Sequence, residues 1–206
     1  MKTRKLLVAT GNQKKLKELQ ELLSDLPLEL LYLKDFRDLR EVPETGATFE
    51  ENARIKALGY ASQAGCLTLA DDSGLCVDAL DGAPGVLSAR FSGHEKDDEA
   101  NNRKLIELMK NVPDAKRSAH YTAAVALAAP GREIVCVTGD VHGFIGHEPR
   151  GSGGFGYDPY FFYPPFGQTF SEIPSARKHE VSHRSKALTQ IKAVLEAYLR
   201  DSGVRV

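Results

Sequence analysis

Two aspartates stand side by side in Leu69-Ala70-Asp71-Asp72-Ser73-Gly74-Leu75, with apolar residues on both flanks. Adjacent carboxylates at the end of an apolar run are costly unless a cation or a proton separates them. If a strand continues through them, their side chains point to opposite faces and do different jobs. One can hold Mg²⁺ while the other polarises a water. The competing reading is a solvated turn, since Asp, Ser and Gly are turn residues. Glu44, in Val42-Pro43-Glu44-Thr45-Gly46, is an ordinary surface carboxylate unless it gives a further oxygen to the same ion. Mg²⁺ takes few protein carboxylates and completes its shell with water and phosphate oxygens.

Three other segments carry chemistry. Thr10-Gly11-Asn12-Gln13-Lys14-Lys15 lies between an apolar run and a helical pattern. Its amides therefore face out at a helix N-terminus, a ready anion site, and Lys15 is one turn in, able to fold back onto a phosphate. It is not a P-loop, because G-x-x-x-x-G-K-[ST] is absent. Gly151-Ser152-Gly153-Gly154-Phe155-Gly156-Tyr157-Asp158-Pro159 matches G-x-G-x-x-G literally. The dinucleotide reading fails, because that fingerprint needs a helix where Tyr157-Asp158-Pro159-Tyr160 stands. What remains is a glycine approach to an aromatic pair, Phe155 or Tyr157, that can stack on a planar base, with Asp158 or nearby backbone on its edge. A hydrophobic core accounts for many of the eight aromatics between Phe155 and Phe170, half of the chain's sixteen. Finally, Lys178 precedes Ser182-His183-Arg184-Ser185-Lys186. Ser182 caps the last helix, so His183 and Arg184 oppose its dipole, which suggests a bound anion or a recognition task; a solvated basic helix start is the equal alternative.

The elements that must position these residues follow from periodicity and punctuation. Leu6 to Ala9 reads as a buried strand. A helix from about Asn12 places Leu16, Leu19, Leu22, Leu23 and Leu26 on one face and stops at Pro27. Leu28 to Leu33 is a second strand, and an irregular charged stretch follows to Ala47. Thr48-Phe49-Glu50-Glu51 is a capping box opening a helix to about Ala64, with Gly65 past its end. Leu67 to Ala70 is a strand ending at the aspartates, after which Leu75 to Leu80 is apolar again. Asp97 to Asn111 is helical. Ala119 to Ala129 and Glu133 to Val141 form a hairpin through Pro130-Gly131. The last helix buries Ala187, Leu188, Ile191, Val194, Leu195, Tyr198 and Leu199. The expected fold is an elongated α/β structure: a mixed twisted sheet flanked by helices, one domain of two lobes with a central cleft.

The 206 residues suffice for one large domain or two small lobes, and for a core that needs no disulfide or metal staple. A formal net charge of −1 argues against general binding to nucleic acid or to anionic membranes. No apolar run approaches a membrane span, and Leu6 to Ala9 is too short for an export signal. Cys66, Cys76 and Cys136, odd in number and set among apolar residues, read as small hydrophobes in a reducing cytoplasm.

An anion cradle, a carboxylate metal site, a stacking loop and a basic clamp are what a nucleoside triphosphate needs. In this order the segments resemble the inosine/xanthosine triphosphate pyrophosphatase family. The resemblance is carried by Thr10-Gly11-Asn12-x-x-Lys15, Glu44-Thr45-Gly46-x-x-Phe49-x-x-Asn52-Ala53, Asp71-Asp72-Ser73-Gly74-Leu75, Gly82-Ala83-Pro84-Gly85 with Ser88-Ala89-Arg90, Gly153-Gly154-Phe155-Gly156-Tyr157-Asp158-Pro159 and Ser182-His183-Arg184. It extends from about Lys5 to Tyr198 with no departure at a motif position.

The resemblance implies a two-lobed mixed sheet, usually in a homodimer. It implies that Thr10, Gly11, Asn12, Gln13, Lys14 and Lys15 bind the triphosphate and that Glu44 and Asp72 belong to the Mg²⁺ and catalytic centre. Asp72 is then the proton acceptor, with Asp71 beside it, and Ser73 touches the substrate. Phe155, Gly156, Tyr157, Asp158, Lys178, His183 and Arg184 hold the nucleotide, largely at the base. The expected reaction takes ITP, dITP or XTP to the monophosphate and pyrophosphate, with Lys15 neutralising the departing phosphates. The residues leave open whether Asp72 activates water or holds the metal that does so. Arg184 or His183 is the candidate donor to a 6-keto oxygen. The alternatives are a pyrophosphatase for pyrimidine or modified bases, and a sensor that binds without cleaving.

Overall fold

The computed structural model describes residues 4–94 and 97–201, apart from the side chains of Gln13, Lys14, Lys17, Glu18 and Asp201. In chain order the elements are β1 (Arg4–Val8), α1 (Gln13–Leu23), β2 (Leu28–Tyr32), α2 (Phe49–Ala64), β3 (Leu67–Val77), α3 (Asp98–Met109), β4 (Ser118–Ala129), β5 (Arg132–Ile145), β6 (Phe161–Tyr163), β7 (Gln168–Thr169), α4 (Ser175–Val181) and α5 (His183–Asp201). The strands make one seven-stranded sheet in the order β2-β1-β3-β4-β5-β6-β7. β1 lies parallel to β2 and to β3, with Val8 opposite Tyr32 on one side and Leu69 on the other. β4 and β5 are joined through Pro130-Gly131, a connection only antiparallel neighbours can share, and β5-β6-β7 continue antiparallel. This is the mixed α/β sheet the sequence leads one to expect.

Local chemistry sets the helix boundaries. Thr48 Oγ1 accepts the Glu51 amide at 3.1 Å and Glu51 returns a bond to the Thr48 amide at 3.3 Å, so the capping box opens α2. Gly65 closes it with φ at 66°, where a side chain would be strained. Ser182 Oγ accepts the Ser185 amide at 3.2 Å and caps α5. Along α5, Ala187, Leu188, Ile191, Leu195 and Leu199 are buried at helical spacing, while Val194 and Tyr198 are half-buried.

One boundary departs from the sequence reading. β3 does not stop at the aspartates but runs through Asp71-Asp72-Ser73-Gly74 to Val77. Turn propensity loses here because β3 sits between β1 and β4 and because both carboxylates find cationic partners. Gly74 serves close approach instead of a turn: a Cβ there would lie 2.2 Å from Ser88 Oγ and 2.7 Å from the Gly85 carbonyl oxygen. The sequence pattern does not predict the helix α4 or the short strands β6 and β7, which are too brief for periodicity to register.

The chain divides into two compact units. The first comprises Met1–Asp72, Ala124–Thr138 and Lys186–Val206, the second Ser73–Ala123 and Gly139–Ser185. The first holds the parallel strands and buries Leu6, Leu7, Val8, Leu19, Leu23 and Leu69 almost completely. The second has a core in which Leu75, Val77, Leu105, Met109, Tyr121, Ile145, Phe161 and Phe170 pack together. No helix among the described residues is long and apolar enough to cross a membrane.

Candidate active site

In the first unit the chain goes from β1 to β2 on one side and returns to β3 on the other. Such a reversal is where open α/β sheets bind ligands, at the carboxyl ends of the two flanking strands. The Thr10–Lys15 turn follows β1 there, and Asp71 and Asp72 lie in β3 just past its pairing with β1. Thr10 Oγ1 accepts the Asn12 amide at 3.2 Å, and Asn12 Oδ1 takes the Lys15 amide in a long 3.4 Å bond. Asn12 is therefore the cap of α1, which aims the helix's first turn at the strand ends. The side chains of Gln13 and Lys14 lie outside the described residues.

The aspartates part company as strand geometry demands. Asp71, almost fully buried, pairs with Lys15 Nζ at 2.6 Å. Asp72 Oδ2 accepts from Asn52 Nδ2 at 3.0 Å, and Asp72 Oδ1 lies 3.9 Å from Lys56 Nζ. Lys56 Nζ also reaches Glu44 Oε1 at 2.8 Å. Asn52 and Lys56 are four apart on α2 and so share one face of it. The loop carrying Glu44 is held by the same amide, whose Oδ1 accepts the Gly46 N–H at 2.7 Å. A Cβ on Gly46 would come within 2.6 Å of Glu51 Cβ, so only glycine lets that loop approach.

Burial pushes the Asp72 carboxyl above its ordinary range and nearby Glu44 adds to this, against the opposing pull of Lys56, Asn52 and Lys15. Burial acts to lower the Lys56 ammonium, but Asp72, Asp71 and Glu44 together hold it above the ordinary lysine value. The two buried aspartates, the two lysines and the exposed Glu44 thus form one set of opposite charges, dry at the aspartates and open to solvent at Glu44.

The second unit assembles the aromatic segment. Asp158 is buried, and its Oδ2 accepts the Phe155 amide at 2.9 Å while pairing with Lys178 from α4. Its Oδ1 takes a long 3.4 Å bond from the Tyr121 hydroxyl. The carboxylate is therefore engaged in shaping the loop around itself. Gly154 allows this with φ at 76°; a Cβ there would sit 2.1 Å from Asp158 Oδ2. Phe155 is 37% exposed, with Lys178 Nζ 5.0 Å and Arg184 Cζ 5.9 Å from its ring centroid. His183 stacks on Tyr121 with centroids 4.9 Å apart, and both His183 and Arg184 are buried. The Tyr157 hydroxyl donates to the Ser88 carbonyl at 2.8 Å. Burial raises both the Tyr121 and Tyr157 hydroxyls well above the ordinary tyrosine value, and nearby carboxylates add to it. Ser73, half-buried, follows Asp72 in β3.

The Ham1 family model matches residues 6–194. The chain belongs to the Ham1 family. It is 50% identical over 188 residues to a dITP/XTP pyrophosphatase of Geobacter sulfurreducens, covering 91% of this chain and 94% of that one. A dITP/XTP pyrophosphatase of Listeria monocytogenes serotype 4b is 45% identical, with 91% and 93% covered. Among solved structures, a HAM1 protein from Coxiella burnetii superposes with a TM-score of 0.89 at 39% identity, covering 95% of this chain and all of that one.

Sequence reasoning gave this Ham1 chain no role for Lys56 and none for Asn52, although Asn52 stands within a matching motif. The available signal was their spacing: four apart, on the helix whose capping box directly follows the Glu44 loop. Among the described residues no group of three or more His, Cys, Asp and Glu side chains is arranged to hold a metal by itself. The donor set still suits a hard divalent cation. Glu44 and Asp72 present carboxylate oxygens to one shared ammonium, Lys56, and so face a common cationic position. Two carboxylates with the remaining ligands from water and phosphate is the coordination Mg²⁺ favours.

Proposed function

We propose that the protein hydrolyses non-standard purine nucleoside triphosphates, dITP, ITP and XTP, to the nucleoside monophosphate and pyrophosphate. The observation that carries this reading is the charge set around two buried aspartates past the β1–β3 pairing, where Lys15–Asp71 and Lys56–Asp72–Glu44 lie side by side. Relatives named dITP/XTP pyrophosphatase, alike over nearly the whole chain, support the substrate class.

Water attacks the α-phosphorus, the α–β bridging bond breaks, and pyrophosphate departs with the electron pair. Asp72 takes the proton from the water, and Asn52 fixes the carboxylate's orientation for it. The Thr10–Lys15 turn binds the β- and γ-phosphates through outward amides, and Lys15 neutralises charge as it develops on the leaving group. Asp72 and Glu44 would hold Mg²⁺, which supplies charge neutralisation on phosphate oxygens when bound. Phe155 stacks on the base, Arg184 or His183 donates to its 6-keto oxygen, and Asp158 and Lys178 keep the loop in shape. Adenine's 6-amino group leaves such a donor unpaired, a mismatch that can reject an analogue by roughly 10⁴–10⁵. The protein acts as a cytoplasmic homodimer in this reading; sedimentation of the purified chain at the monomer mass would contradict the dimer.

The test is pyrophosphate release from ITP, XTP, dITP, ATP, GTP and UTP, with and without Mg²⁺. The reading expects Mg²⁺-dependent release confined to the first three. Preference for UTP would move the substrate class to pyrimidines. Binding of XTP without any cleavage would reduce the protein to a sensor.

A further inference from the structure

Gly156 sits at the centre of the aromatic loop with φ at 60°, and its peptide groups are gripped from one direction. The Gly156 N–H donates to Asp98 Oδ2 at 2.7 Å, and its carbonyl accepts from Asn102 Nδ2 at 2.8 Å. Asp98 and Asn102 are one turn apart on the same face of α3. They are also tied to each other, since Asn102 Nδ2 donates to the Asp98 carbonyl at 2.9 Å. Two carbonyl oxygens facing one end of the Asn102 amide fix which end is the nitrogen. Its Oδ1 is buried with no hydrogen-bond partner among the described residues. A buried acceptor left that way is uncommon and calls for a reason. Here the amide is turned to serve Gly156.

The neighbouring residue works on the same structure. Asn101 Nδ2 donates to the Ser88 and Ala89 carbonyls at 3.5 and 3.3 Å, and Asn101 Oδ1 accepts the Ser92 amide at 2.7 Å. The Ser88 carbonyl is also the acceptor of the Tyr157 hydroxyl. The first half of α3 therefore grips Gly156 directly and braces Tyr157 through Ser88. A segment as rich in glycine as Gly151–Gly156 has much conformational freedom to lose when a ligand orders it. Contacts that order it beforehand lower that cost.

We propose that Asp98 and Asn102 are positioning residues that hold Phe155-Gly156-Tyr157 in the shape that receives the purine, so that base recognition is set partly from α3, outside the segments that touch the nucleotide. The inference rests on the functional reading above. Asp98 and Asn102 take no part in the chemistry, so their loss weakens substrate binding without slowing the bound complex.

The experiment compares wild type, Asp98→Ala, Asp98→Asn and Asn102→Ala in XTP hydrolysis and in inhibition by inorganic tripolyphosphate, which has no base. Asp98 is exposed in the first turn of α3, so its variants fold even where Asn102→Ala does not. Both alanine variants should raise KM for XTP roughly ten-fold and leave kcat within about two-fold. The tripolyphosphate inhibition constant should stay put. Asp98→Asn keeps an oxygen to accept the Gly156 N–H and should restore KM. Amide hydrogen exchange at Gly156 should speed up in Asp98→Ala and not in Asp98→Asn. Unchanged KM in the alanine variants, tripolyphosphate inhibition weakening in step with KM, or Asp98→Asn behaving as Asp98→Ala would each overturn the clamp. A wild-type protein inert to XTP overturns the functional reading instead.

Discussion

Asp72 and Asp158 are both buried carboxylates that face a lysine, yet they are built differently. Lys56 stands 3.9 Å from Asp72 and lies closer to Glu44, at 2.8 Å, so its ammonium is shared between two acids. Lys178 is in direct contact with Asp158, which also accepts the Phe155 amide and the Tyr121 hydroxyl. The first arrangement leaves its cation exchangeable, which the proposed function requires of a centre that would take up a polyanion and a metal. The second is closed, and what it closes is a loop that presents a half-exposed ring. Two carboxylates of similar burial thus differ in how tightly their lysine is held, and it is the loosely partnered one to which the proposed function gives the reaction.

The largest effect that tests this contrast is on the loose side. Asp72→Asn should lower kcat for XTP by at least about 10³, as expected when the proton acceptor is lost, while XTP still binds. Product chromatography and calorimetry read the two halves of that outcome, and wild-type turnover would end the assignment. Lys15→Ala should cost roughly 10²–10³ in kcat, the usual penalty for losing one charge-stabilising donor. It also removes the ammonium in direct contact with the buried Asp71 carboxylate, so a fall in melting temperature should accompany it.

On the closed side the currency is stability and KM. Asp158→Asn should destabilise the fold by about 3 kcal/mol, because it leaves the Lys178 charge without its partner in a largely dry setting. Urea melts check this, and a variant as stable as wild type would mean that the pair is not the loop's anchor. The smallest effect lies farther along the same unit. The Thr169 amide, first, and Arg150 hold the Glu172 carboxyl below its ordinary value. Its contribution is then complete above the unfolded pKa and disappears as pH falls through the lower folded one. Glu172→Gln should melt slightly below wild type at neutral pH, with the gap closing in acid. A gap independent of pH would contradict this.

How much of this was legible in the sequence follows the same division. The first unit's elements announce themselves: the capping box at Thr48, Gly65, Asn12 before α1 and Pro27 after it are local signals, and the structure uses each. The path of β3 through Asp71–Gly74 was not legible, because residue types that favour turns were overruled by strand neighbours and by cations from α1 and α2. Lys56 and Asn52 were hidden for a related reason. Their importance comes from facing a strand some twenty residues downstream, and a lysine on a helix ordinarily reads as solvated. In the second unit the glycine and aromatic residues marked the loop, but the grip on it from Asp98 and Asn102 did not show. An acidic first turn on α3 reads as favourable to its own dipole. β6, β7 and α4 are too short for any period to appear.

On the proposed function, Lys15 and Asp72 serve the reaction, whereas Phe155 and the Asp158 anchor behind it serve the choice of base. The most direct test is the ratio of kcat/KM for XTP to that for ATP, measured in wild type, Lys15→Ala and Asp158→Asn. Lys15→Ala should depress both substrates alike and leave the ratio standing, whereas Asp158→Asn should collapse it. A ratio that falls in Lys15→Ala, or that survives intact in Asp158→Asn, contradicts the division of labour.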